Sequence, residues 1–293
     1  MKCLIGVDLR ETAAGALHYA AWLASMRPDA PPTLVPVHVL EEAYLLQVLR
    51  HTHLDAVERL ALDSAVAQIQ RAGLEDQAEP VRVVRGAAAE DALVREFDAV
   101  HADALVIGRQ APSTERNIVR LGRVARRLVR TLPCPLVVVP PDLRAESIGK
   151  GPIMLATDLD ENSAAAARFA RRLAETTGRP LVVAHVVPQD VEADRYLPTA
   201  TIEQFLSQVG LDRGRDLQAW MTTHHLAGHP AVVAHGDVLT RLSSMAEMEG
   251  APTIVCGSRG LGTVERVFVA SIGSDLACWA GCAVAIVPPA WGV

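Results

Sequence analysis

The chain has 293 residues, half of them hydrophobic and 21% charged, which predicts two domains with enough apolar side chain for sizeable cores. Its net charge of −6, from 28 basic and 34 acidic residues, argues against a chain-wide surface for nucleic acid. No apolar run reaches the roughly 18–20 residues of a membrane span, and MKCLIGVDLRETA turns charged too soon for a signal peptide, so a cytoplasmic location away from membranes is expected.

In chain order, residues 3–8 (CLIGVD) read as a short buried strand ending in Asp8. TAAGALHYAAWLASM follows, with Ala13, Leu17, Ala20 and Ala24 three or four apart on one helix face. LVPVHVL (34–40) is a second strand with His38 third from its end, and a long crossover over about 41–79 leads to VRVVRG (81–86). DALVIGR (103–109) and PCPLVVVPPD (133–142) supply two more strands. The set then recurs. IMLATD (153–158) ends in Asp158, NSAAAARFARRLAETTG is helical, and LVVAHVV (181–187) carries His185. VVAHG (232–236), TIVCGSR (253–259) and GCAVAIVPPA (281–290) complete the second copy.

Matched residues are offset by 147 to 150 positions along the whole half-chain, so the chain is two copies of one domain, about 1–146 and 147–293. The join at 144–151 is short and polar with two glycines, as a linker should be. Uniformly apolar strands alternating with helices predict an open parallel sheet covered on both faces, with right-handed crossovers. In the second copy Ser163 is placed to cap a helix carrying Ala166, Phe169 and Leu173. Pro198 and the Gly-Leu-Asp-Arg-Gly stretch at 210–214 predict an interrupted helix in its long crossover.

Ligands of open parallel sheets bind beyond the carboxyl ends of the strands, where the strand order switches. Asp8 and Asp158 stand at such ends, where an acid can take a ribose hydroxyl or cap the next helix. The second copy continues after its fourth strand as Gly257-Ser-Arg-Gly260-Leu-Gly262, and nine residues beyond Gly260 comes Ala270-Ser271 with a helix to follow. Glycines let backbone amides approach a ligand, and a helix N-terminus with a serine offers NH groups and a hydroxyl to phosphate.

Glycine, two residues, glycine, nine residues, then a small residue and serine, after a strand-terminal aspartate, resembles the nucleotide-binding pattern of the universal stress protein family. The resemblance covers both halves and identifies the chain as a tandem member. It implies two tandem Rossmann-like (adenine nucleotide alpha hydrolase-like) domains, each an open five-stranded parallel sheet flanked by helices. It also implies ATP binding and pairing of the two domains through their last strands, LVVVP (136–140) and AVAIVP (283–288); since no lysine is placed to bridge phosphates, any magnesium would be held mainly by the phosphates and water, with Asp158 as a further candidate. A homodimer is compatible with it.

Carried over by position, the resemblance gives the second copy Asp158 for the nucleoside and Val186 beside the base. Gly257, Gly260, Ala270, Ser271 and Ile272 then surround the phosphates, with Ala270 standing where the family has glycine. The first copy offers Asp8, Val39, Gly108, Gly122 and Arg123. It departs further, with Ala111 for the second glycine, one extra residue of spacing, and arginine in place of the serine.

Arg109, Arg116, Arg120, Arg123, Arg126, Arg127 and Arg130 face only Glu115 within 109–130, which is either an anion site or a helix face neutralised by acids elsewhere. Five cysteines without CxxC suggest neither zinc nor a thioredoxin-type pair. His38 and His185 suit packed, hydrogen-bonded strand positions. GxxxxGK[ST], HExxH and GxSxG are absent, so at most slow ATP hydrolysis is expected. The expected function is a stress-response binding protein loaded with ATP or a related adenine nucleotide, mainly in its second domain. The alternative is a scaffold of the same fold, acting through surfaces such as the arginine patch.

Overall fold

A computed structural model describes residues 1–10, 14–49, 52–110, 121–188, 199–258 and 272–292. The first half runs β1 (Lys2–Gly6), α1 (Ala14–Met26), β2 (Thr33–Glu41), α2 (Glu42–Val48), α3 (Leu54–Arg71), β3 (Arg82–Gly86), α4 (Ala89–Val100), β4 (Ala104–Gly108), α5 (Gly122–Thr131) and β5 (Leu136–Val139). The second repeats it as β6 (Ile153–Ala156), α6 (Ala164–Thr177), β7 (Leu181–Val187), α7 (Thr199–Thr223), β8 (Ala231–His235), α8 (Val238–Met248), β9 (Thr253–Gly257), α9 (Ile272–Trp279) and β10 (Ala283–Val287).

Among the described residues the strands form one ten-stranded sheet, ordered β3-β2-β1-β4-β5-β10-β9-β6-β7-β8. Every pairing inside a half is parallel, and each half has the same order, with its first strand at the centre. The halves meet where β5 and β10 run antiparallel, Val138 opposite Val284 and Val137 opposite Ala285. Successive strand residues point to opposite faces. Ile5, Val137, Leu155 and Ala285 therefore join one core layer with α1 and α6, while Leu4, Val138, Met154 and Val284 join the other with α4, α5 and α9.

Several local expectations change on contact with the packing. α1 is buried nearly all round, Ala16, Tyr19, Trp22 and Leu23 included, because it lies between the sheet and α6 rather than at an edge. Its Gly15 has no room for a side chain: an added Cβ would sit 1.8 Å from the Pro140 carbonyl oxygen. The two glycines of the join serve the same purpose. A Cβ on Gly149 or Gly151 would stand 1.9 Å from the carbonyl oxygen of Gly250 or Glu249, so the segment is packed rather than loose.

α7 is continuous through Gly210 and Gly214 instead of breaking there. A helical glycine costs only about 1 kcal/mol, and at Gly210 the missing Cβ makes way for the His235 ring, whose Nε2 would lie 3.2 Å from it. Ser163 makes no capping bond for α6; Asp160 instead caps the 3₁₀ turn Glu161–Ser163 ahead of it by accepting from the Asn162 NH. Ala166, Phe169 and Leu173 are buried on the expected face of α6.

Candidate functional site

In each half the chain leaves the central strand towards one side and later returns to its other side, so the strand order switches between β1 and β4, and between β6 and β9. Such a switch point is where open parallel sheets place their ligands. The register sets which residues line it. Ala156 lies opposite both Ala184 of β7 and Cys256 of β9, so Asp158, Val186 and Gly257 stand at three adjacent strand ends.

Asp158 accepts hydrogen bonds from the Ser163 hydroxyl at 2.7 Å and the Asp160 NH at 3.3 Å. Behind it, His185 Nδ1 lies 2.8 Å from the Thr157 carbonyl oxygen. A carbonyl only accepts, so Nδ1 carries the proton and the ring braces the turn that presents Asp158. The first half repeats this device, with His38 Nδ1 at 2.8 Å from the Val7 carbonyl and Asp8 accepting from the Arg10 NH at 3.3 Å. The strand histidines are thus structural supports of these strand ends, hydrogen-bonded as expected.

Gly257 cannot carry a side chain without movement, since a Cβ would fall 3.2 Å from the Asn162 oxygen and 3.3 Å from Ser163 Cα. Ile272 opens α9 and is partly exposed. Gly260, Ala270 and Ser271 lie outside the described residues. Cys256, next to Gly257, is buried, which pushes its thiol pKa up to about 12 and makes it a poor nucleophile.

In the first half Asp8, Val39, Gly108, Gly122 and Arg123 all line one cleft of about 410 Å³. Gly122 starts α5 with φ +69°, a conformation that glycine adopts at little cost. Arg123 follows it and ion-pairs with Glu41 at the end of β2 and with Glu90 in the first turn of α4, the latter at 3.4 Å. Arg127, one turn on, reaches Glu90 at 2.7 Å. Glu41 also accepts from the Ala89 NH at 3.0 Å, closing the start of α4.

The arginine cluster therefore divides. Arg123 and Arg127 are neutralised by acids from elsewhere in the fold, and the Glu41 contact raises the Arg123 pKa further. Arg109 is fully buried and donates to the Ala277 carbonyl of α9 at 3.0 Å, across the β5–β10 seam. Ala111, Glu115, Arg116 and Arg120 lie outside the described residues. Glu41 and Glu90 escape a motif search because neither belongs to the glycine pattern. The signal was present in the repeat itself: at the offset of His38 the counterpart of Glu41 is Pro188, and at the offset of the helix starts Ala89 and Val238 the counterpart of Glu90 is Leu239.

The profile of the universal stress protein family matches residues 1–140 and again 151–288. The chain belongs to that family. Among solved structures it is similar to a universal stress protein from Archaeoglobus fulgidus DSM 4304, at 16% identity over 98% of both chains with a TM-score of 0.67. It is also similar to a functionally unknown protein from Pseudomonas aeruginosa PAO1, at 14% identity over 98% of this chain and 92% of that one, with a TM-score of 0.63. These likenesses extend the family's Rossmann-like, adenine nucleotide alpha hydrolase-like fold over the full tandem arrangement. No curated protein matches the chain. Among the described residues of this universal stress protein no helix is long and apolar enough to cross a membrane.

Proposed function

We propose that this tandem universal stress protein is a cytoplasmic binding protein that holds ATP, or a related adenine nucleotide, mainly in its second domain, and signals its occupancy in a stress response. The domains are residues 1–146 and 147–293, acting as one unit through their last strands, with self-association into a homodimer compatible with this role. The observation that carries the reading is the set of strand ends at the switch point between β6 and β9. There an acceptor, Asp158, faces a strand end, Gly257, that is stripped of side chain by its contact with the Asn162 turn.

In this reading Asp158 takes the nucleoside hydroxyls and Val186 flanks the base. Gly257, Gly260, Ala270, Ser271 and Ile272 are the residues this reading gives to the phosphates. Bound ATP would bring its own charge and its magnesium, which the phosphates and water would hold, with Asp158 available as a carboxylate. The role in this reading is binding, with at most slow ATP hydrolysis. The scaffold alternative is weaker, because Arg123 and Arg127 are spent on Glu41 and Glu90 and Arg109 is buried.

The test is mass spectrometry of small molecules released on denaturing freshly purified protein, beside a Gly260→Glu variant that places a carboxylate among the phosphates. About one adenine nucleotide per chain, lost in the variant, is the expected outcome. No nucleotide in either preparation, with no ATP binding by calorimetry, would leave the scaffold reading.

A further inference from the structure

Among the described residues two strands stand at the edges of the sheet, β3 and β8. They hold equivalent places in the repeat, since Val83 lies opposite His38 as Val233 lies opposite His185. Arg82 therefore corresponds to Val232. An open edge offers unpaired NH and carbonyl groups to another strand, and charged side chains along it discourage that pairing. The two edges differ here. Arg82 ion-pairs with Glu79 at 3.4 Å and Glu96 at 3.7 Å, and Arg85 with Glu58 at 3.2 Å, so β3 is lined with charge. β8 runs Ala-Val-Val-Ala-His with no acid, lysine or arginine, and its Val232 is 40% exposed.

The backbone of β8 shows which groups are open. The Val183 NH donates to the Pro230 carbonyl and the Gly236 NH to the Val187 carbonyl, so the even-numbered positions turn towards β7. Ala231, Val233 and His235 then turn their NH and carbonyl groups outwards. Arg241 Nε already donates to the His235 carbonyl at 2.8 Å. Ala231 and Val233 are left, with no strand beyond them among the described residues. About a two-fold axis at Val232, Ala231 of each copy meets Val233 of the other, and the two residues exchange NH and carbonyl bonds. Val232 then lies opposite itself in the close, non-hydrogen-bonded position, apolar against apolar. The same operation on β3 would set Arg82 against itself and break into its pairs with Glu79 and Glu96. The pairing is centred away from the His235 end of β8, where the undescribed residues 189–198 follow β7.

We propose that β8 is a self-pairing edge: a second copy of this chain adds its own β8 antiparallel, Ala231 of each copy bonded to Val233 of the other, and carries the sheet across both chains. The occupant is a second copy because the two-fold covers the exposed apolar side chain of the edge with itself and sets no like charges together. Asp237 and Arg241, beyond one end of β8, come to lie towards the Ala227–Pro230 turn of the other copy. The arrangement repeats between chains what β5 and β10 do within one. It gives a surface to the homodimer allowed above and stands whether or not either half holds a nucleotide.

Sedimentation equilibrium of the full-length chain is the test, and a concentration-dependent species of two chains is expected. Val232→Arg, which installs the first copy's residue at an exposed position, is expected to weaken the dimer roughly tenfold or more, because like charges would then stand opposite each other. Ala231→Pro removes an outward NH that β7 does not use, and is expected to do the same. Leu60→Arg, at another exposed apolar residue on α3, is expected to leave the dimer unchanged. Val232→Cys is expected to link the two chains by a disulfide on mild oxidation, since facing Cα atoms in that position lie about 4.5 Å apart. Should Val232→Arg fail to fold by circular dichroism, Ala231→Pro and Val232→Cys decide. A chain that stays monomeric, a dimer that survives Val232→Arg or Ala231→Pro, equal loss in Leu60→Arg, or unlinked Val232→Cys chains would each overturn the proposal. None of these outcomes would bear on nucleotide binding.

Discussion

At the scale of single residues, Arg123 shows how one change draws others after it. A positive charge in the first turn of a helix is unfavourable to the helix dipole, and here α5 tolerates it because Glu41 and Glu90 converge on it from two other elements. Removing one partner of a buried pair costs roughly 3–5 kcal/mol, but Arg123 is half exposed, and each acid keeps another partner, Ala89 NH or Arg127. Arg123→Ala is therefore expected to destabilise the protein by about 1–2 kcal/mol in urea unfolding. Arg171, paired to Glu175 at 3.9 Å on the open surface of α6, is the control. Its alanine variant is expected to lie within about 0.5 kcal/mol of the parent. Equal effects of the two substitutions would mean that the enclosure of Glu41 and Glu90 has no energetic consequence.

At the scale of elements, close approach sets the terms. Gly15 lies one residue into α1, where helix propensity alone favours alanine, yet the Pro140 carbonyl occupies the place of its Cβ. Gly15→Ala is expected to cost roughly 1–3 kcal/mol through overpacking, read as a lower urea midpoint; a neutral or stabilising result would show that α1 can slide on the sheet. The same principle explains what was legible in the sequence. The strands were, because each carries a short apolar run, and the repeat located the strand ends where Asp8 and Asp158 stand. The continuity of α7 was not, since Gly210 answers to His235 on another element, and neither was the all-round burial of α1, which depends on α6 from the other half. Glu41 and Glu90 stayed hidden for a related reason: a motif describes what touches a ligand, whereas these acids touch an arginine that replaced a motif residue.

At the scale of the whole molecule, the antiparallel seam turns two repeats into one sheet. β5 and β10 are buried along their length, and each core layer crosses the seam without interruption, Val106 and Val137 continuing into Ala285 and Val255 on one face. Polar ties reinforce it: the Tyr19 and Thr253 hydroxyls meet at 2.8 Å, Arg172 reaches Asp103 at 2.7 Å, and Arg109 holds the Ala277 carbonyl. Loss of either half would expose an apolar strand edge together with the cut faces of both layers, which favours unfolding of the two halves together. The full chain is accordingly expected to unfold in one calorimetric transition, with van't Hoff and calorimetric enthalpies in agreement. Residues 1–146 expressed alone are expected to self-associate through β5, and Val138→Asp in that fragment to weaken the association. Two resolved transitions in the full chain, or a stable monomeric fragment, would mean that the seam is a contact between independent domains.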